Sequence, residues 1–186
     1  MKTFNPTHIN SKLQSDWLYL HEQMPPDKWH HLPSFCTAST WLGMHQSLRH
    51  GQGQIEQLNQ DYQNGTLEWS EYRYQLLGFA RSHYGHLHGH HGIEDHHYFP
   101  KLRRREPKLD KGFDVLDSDH QQIERQLNQI QTLLGQLKQQ EANDPKLGEQ
   151  LYQTIKDSGE WLYRHLTDEE DLVIPILALS EQYRLT

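Results

Sequence analysis

LDSDHQQIERQLNQIQTLLGQL, residues 116–137, decides the fold class. Its core-type positions, Leu116, His120, Ile123, Leu127, Ile130, Leu134 and Leu137, recur at alternating steps of four and three residues. That spacing places all of them on one face of an α-helix. His120 stands inside an otherwise apolar stripe, where an imidazole needs a partner.

Towards the C-terminus the spacing repeats through Leu151, Ile155, Ser158, Leu162, His165, Glu169, Leu172 and Ile176. A histidine and a glutamate now share the buried face. Towards the N-terminus two further helical patterns precede the first. One runs through Leu76, Phe79, His83, His86 or Leu87, His90, Ile93 or Glu94, and His97; the other through Trp41, His45, Leu48, Gln52, Ile55 and Tyr62. Turn signals separate them at Asn64-Gly65, from Pro100 through Gly112, and at Asn143-Asp144-Pro145. Four long helices on short connections predict an all-α, antiparallel four-helix bundle over residues 37–186, with no sheet. Residues 1–36 contain Pro25-Pro26 and Pro33 around WHHL and read as an N-terminal arm packed by Trp17, Leu20, Trp29 and Phe35.

The chain has 186 residues and 34% hydrophobic content, enough for one core with extensions. A formal charge of -7 opposes the phosphate neutralisation on which nucleic-acid binding depends. The basic run from Lys101 to Arg105 reads as complement to a helix dipole. One cysteine, Cys36, leaves no intrachain disulfide, and MKTFNPTHINSK has no apolar leader. A cytoplasmic protein with neither a membrane span nor a nucleic-acid partner is the expectation.

Histidine is the outlier, at 15 residues. Each of the four helices turns at least one imidazole toward the bundle axis. Two of them add a carboxylate four residues later, His90 with Glu94 and His165 with Glu169, and a step of four keeps both side chains on one face. Ionised glutamates on apolar stripes require compensating positive charge. No lysine or arginine lies on those stripes, whereas a pair of divalent cations would supply the charge. Four imidazoles and two carboxylates without thiolate suit iron, manganese or zinc, and exceed what one tetrahedral zinc needs.

These segments resemble the hemerythrin-like, or HHE cation-binding, domains over roughly residues 38–179. The likeness rests on His45 in WLGMHQSLRH, on HLHGHHGIEDHHYFPKL with His90 and Glu94, on His120 in LDSDHQQIERQL, and on HLTDEEDLVIPIL with His165 and Glu169. The resemblance implies two iron ions, cycling between Fe2+ and Fe3+ and bridged by oxo or hydroxo. His45 and His90 would hold one iron, His120 and His165 the other, and Glu94 and Glu169 would bridge them. It implies a small-molecule partner: dioxygen, peroxide or nitric oxide, for sensing, delivery or detoxification. Where oxygen-carrying members read His-x3-His and His-x4-Asp, this chain reads His120-x3-Glu124 and His165-x3-Glu169. Added negative charge favours ferric iron and points away from simple oxygen carriage. His86, His91, His97 and Glu124 are further candidate ligands, and Glu170 and Asp95 candidate outer partners. Two other classes compete: a ferritin-like di-iron oxidase, to which the single Glu94-x2-His97 step points, and a non-catalytic zinc- or pH-responsive helical scaffold.

Overall fold

A computed structural model describes residues 3–182. It is all-α, with no strand among the described residues. The long helices are α1 (Thr37–Gln63), α2 (Trp69–Ile93), α4 (Asp110–Gln139) and α5 (Pro145–Gln182), and a short α3 (Phe99–Arg105) lies between α2 and α4. The chain forms the helical bundle expected from its stripes. No helix among the described residues is long and apolar enough to cross a membrane.

The ends of the helices follow local chemistry. Gly65 adopts φ 71°, a conformation that costs a glycine nothing. It closes α1 with its N–H on the Tyr62 carbonyl and the Thr66 N–H on that of Asp61, the paired bonds of a Schellman cap. At the start of α5, Asp144 accepts the Leu147 N–H at 3.1 Å and Pro145 takes the first helical position, where its missing donor costs nothing.

The segment from Pro100 to Gly112 is not the plain turn its proline and glycine suggested. It holds α3, a 3-10 turn at Pro107–Leu109 and the first residues of α4, because Pro100 falls in the first turn of α3, the one place where proline starts a helix. Between α2 and α3, Glu94–Tyr98 forms a single π-helical turn, in which the Phe99 N–H reaches the Glu94 carbonyl five residues back.

The chain divides into two compact units. The first comprises residues 1–47, 92–119 and 163–186; the second comprises 48–91 and 120–162. The first unit has a core of Leu18, Trp41, Phe99, Phe113, Leu116 and Leu172 with their neighbours, against which Trp17 and Trp29 are partly buried. Each fully buried side chain of this kind contributes about 1.5–3 kcal/mol. Residues 3–36 belong to this core through Leu13, Leu18, Leu20 and Met24, and carry 3-10 helices at Ser15–Glu22 and Pro26–His31. Phe35 departs from expectation and is 87% exposed. It sits in the turn that the Cys36 N–H closes on the Pro33 carbonyl, which turns its ring outward just before α1.

Pro175 lies inside α5 and has no N–H for the carbonyl of Asp171, one turn back. His21 fills the gap: its Nε2 donates to that carbonyl at 2.9 Å. A buried backbone acceptor in mid-helix is thereby satisfied from the N-terminal segment.

In the second unit the buried stripes are Ile55 and Leu58 of α1, Leu76 and Leu87 of α2, Ile123, Leu127 and Ile130 of α4, and Leu151 and Ile155 of α5. Tyr72 donates to Asn59 Oδ1 at 2.8 Å and stacks on Tyr62 with centroids 4.4 Å apart.

Candidate metal centre

In the first unit, α1 presents Trp41 and His45 one turn apart on one face, and α5 presents His165 and Glu169 in the same way. Glu94 opens the π turn. His45, Glu94, His165 and Glu169 are each at most 1% exposed. One ligand atom from each of His45, Glu94 and Glu169 lies within 4.8 Å of the others.

The Glu169 carboxylate faces two imidazoles. Its Oε1 is 3.4 Å from His45 Nε2 and its Oε2 is 3.3 Å from His165 Nε2. Glu94 Oε1 approaches His45 Nε2 to 4.0 Å. Two donors bound at about 2.0–2.2 Å to one cation stand about 3–4 Å apart, so these separations are compatible with donors to a metal ion.

Glu169, His45 and His165 each have an outer partner. Trp41 donates its indole N–H to Glu169 Oε1 at 2.6 Å. His45 Nδ1 donates to Glu170 Oε1 at 3.0 Å, which leaves Nε2 turned toward Glu94 and Glu169. His165 Nδ1 faces Asp119 Oδ2 at 3.8 Å, and Arg164 Nη1 donates to the same Oδ2 at 2.7 Å. A carboxylate behind an imidazole sets its orientation and raises its basicity toward a metal.

Burial alone would push the His45 imidazole down, but Glu169, Glu170 and Glu94 outweigh it and raise it well above its ordinary value. Burial likewise opposes the charged form of His165, and Asp119 and Glu169 overcome it, raising it to about 9. Burial would raise Glu169; His45 and His165 hold it well below the carboxylate range instead. In the metal-free chain, protons on imidazole thus balance buried carboxylates. A cation held there would perform the same task by displacing those protons. The donor set, the spacing and the charge all fit a metal held by imidazole and carboxylate.

In the second unit, His90, His91 and His120 are buried. The rings of His91 and His120 stack with centroids 4.0 Å apart and planes 16° from parallel, and a nitrogen of each lies within 4.8 Å of the other. His83 is buried as well; burial first, then His86, pushes its imidazole down to about 4. It stays neutral near pH 7.

The remaining candidates lie elsewhere. His86 and His97 are exposed. Glu124 is half-buried and pairs with His88 Nδ1 at 3.1 Å. Glu94 is 1% exposed while His97, three residues on, is exposed, because the π turn between them breaks the register that would align them in an α-helix. The Glu94-x2-His97 step is therefore not assembled as a ferritin-like ligand pair.

Sequence reasoning missed Asp119 and the role of Trp41. Both carried a local signal: Asp119 precedes His120, and Trp41 lies one turn before His45.

A search of curated proteins finds no match to the chain, and neither does a search of solved structures. Residues 36–177 match the model of the hemerythrin HHE cation-binding domain. That match covers His45, His90, Glu94, His120, His165 and Glu169; the chain belongs to the hemerythrin HHE cation-binding domain family.

Proposed function

We propose that the protein is a non-haem di-iron protein that binds or reacts with dioxygen, peroxide or nitric oxide. In this reading His45, His90, His120, His165, Glu94 and Glu169 would hold the two ions. The observation that carries it is Glu169, a fully buried carboxylate with one oxygen toward His45 and the other toward His165. A carboxylate so placed can serve two cations. The stack of His91 on His120 supports His91 as a further ligand beside His120.

When bound in the ferrous state, such a centre supplies electrons and an open coordination position to a small oxidant. The chain's own residues do the rest. Glu170 holds His45 with its Nε2 inward, and Trp41 fixes the orientation of Glu169. Trp41 covers one oxygen of Glu169, and the burial of Glu94 and Glu169 limits water around the carboxylates, which strengthens every electrostatic interaction among them.

Metal content per chain, with the visible spectrum of protein purified in air before and after dithionite and re-exposure to oxygen, tests the reading. About two irons with oxo-bridged ferric bands is the expected result. Cycling with oxygen would mark reversible binding, and a single oxidation with consumption of peroxide would mark turnover. Zinc alone, or a folded protein that takes up no metal, would overturn it.

A further inference from the structure

Lys12 is a surface residue by composition, yet its ammonium reaches a wholly buried carboxylate. Its Nζ donates to Asp119 Oδ1 at 2.9 Å, with the lysine side chain 44% exposed and that of Asp119 0%. The reach is set by backbone. The Lys12 N–H donates to Asp168 Oδ2 at 3.1 Å, and five residues earlier Thr7 grips Asp171 twice, N–H to Oδ2 and Oγ1 to Oδ1, each at 2.6 Å. Leu13 next to it is buried in the core. Residues 7–12 therefore lie along α5 beside His165, joined to it by three bonds to aspartates.

Asp119 stands between two cations and one imidazole. Oδ1 takes Lys12, and Oδ2 takes Arg164 while facing His165 Nδ1. Arg164 Nη1 is itself shared with Asp168 Oδ2 at 2.9 Å, so it alone does not fix the carboxylate plane. The second anchor does. We propose that Lys12 is a positioning residue for the metal centre: it clamps Asp119 so that one oxygen stays behind His165, which makes residues 7–12 part of the site's architecture. This rests on the reading of His165 as a ligand. Carboxylates behind metal-bound imidazoles change affinity by about 10–100-fold when altered, and a residue that sets such a carboxylate acts through it.

The test is the rate at which a chelator strips cobalt(II) from the cobalt-loaded full chain, followed by its visible bands. Lys12→Met is expected to lose metal about tenfold faster, with its bands shifted, and Lys12→Arg to return both toward the starting values. Asp119→Asn should match or exceed Lys12→Met. Thr7→Val removes one of the three bonds to aspartates that hold the segment, leaves Asp119 untouched, and should speed metal loss by less than Lys12→Met. Thermal melting of each metal-free variant reports folding. Hydrogen exchange at the Lys12 amide should slow on cobalt loading, since coupling between two sites acts both ways. Unaltered stripping in a folded Lys12→Met, or an equal effect of Thr7→Val, overturns the inference while leaving the metal reading intact. Failure of the unaltered chain to take up cobalt overturns both.

Discussion

The indole nitrogen of Trp41 lies 2.6 Å from Glu169 Oε1, joining α1 to α5 at a carboxylate that faces both His45 and His165. Hydrogen bonds to a charged acceptor contribute about 1.5–3 kcal/mol. Trp41→Phe keeps an aromatic ring but removes the donor together with the second ring of a buried indole. The metal-free variant is expected to lose at least about that much stability in urea unfolding. An unchanged midpoint would show that Glu169 finds another donor.

Glu170 and Glu124 make opposite predictions although both are glutamates near candidate ligands. Glu170 holds His45 Nδ1 at 3.0 Å, so Glu170→Gln should weaken metal binding by about 10–100-fold without removing any proposed ligand. Glu124 pairs with the exposed His88 at the surface. Glu124→Gln should bind metal as the unaltered chain does. Competition against a coloured chelator measures both, and equal behaviour would contradict the assignment.

Stability of the metal-free protein should depend on pH in a defined direction. The His165 imidazole is raised from 6.5 to about 9, so folding favours its protonated form. That contribution is fully present below pH 6.5 and fades as pH rises through 9. Glu169 is held well below 4.5, so its contribution is present above that value and is lost on acidification through its folded-state pKa. Urea midpoints after chelation should be higher near pH 6 than near pH 9.5. A flat profile across that window would refute the pairing of His165 with Asp119 and Glu169.

Metal loading at pH 7.5 should also release protons, because the neutral imidazole is the ligand. Calorimetric titration with a divalent cation in two buffers of different ionisation enthalpy measures the number released. At least one proton per chain is expected. Zero would mean that the protonated imidazoles of His45 and His165 are not the metal-binding groups.

Helix packing has its own test in two glycines. A Cβ on Gly148 would lie 2.3 Å from Tyr62 Cε1, on a ring that is stacked against Tyr72 and cannot withdraw freely. Gly148→Ala should cost about 1–3 kcal/mol from overpacking, more than the roughly 1 kcal/mol that alanine returns in helix propensity. Gly135 has open space around it, so Gly135→Ala should stabilise by about that 1 kcal/mol. Melting temperatures of the two variants should move in opposite directions.

Periodicity alone determined most of the fold and the inward set of residues. The stripes of α4 and α5 placed His120, His165 and Glu169 on buried faces, because a packed helix must turn its apolar repeat to the core wherever else the chain goes. Small drifts appear where the repeat meets the true helical pitch: Leu133 is buried while Leu134 is only half-buried, since a 3.5-residue repeat slips on a 3.6-residue helix. In α2 the sequence left His86 or Leu87, and Ile93 or Glu94, as equal choices. Tertiary packing chose Leu87 and Glu94, and the π turn then moved His97 outward. The connection between α2 and α4 hid a helix because proline reads as a breaker without the context that makes it a start. Outer partners were the least legible. Asp119, Lys12 and His165 are far apart in sequence, and their meeting depends on how the N-terminal segment lies along α5; periodicity reports which face of a helix is buried, and only the folded chain brings those faces' partners within bonding distance.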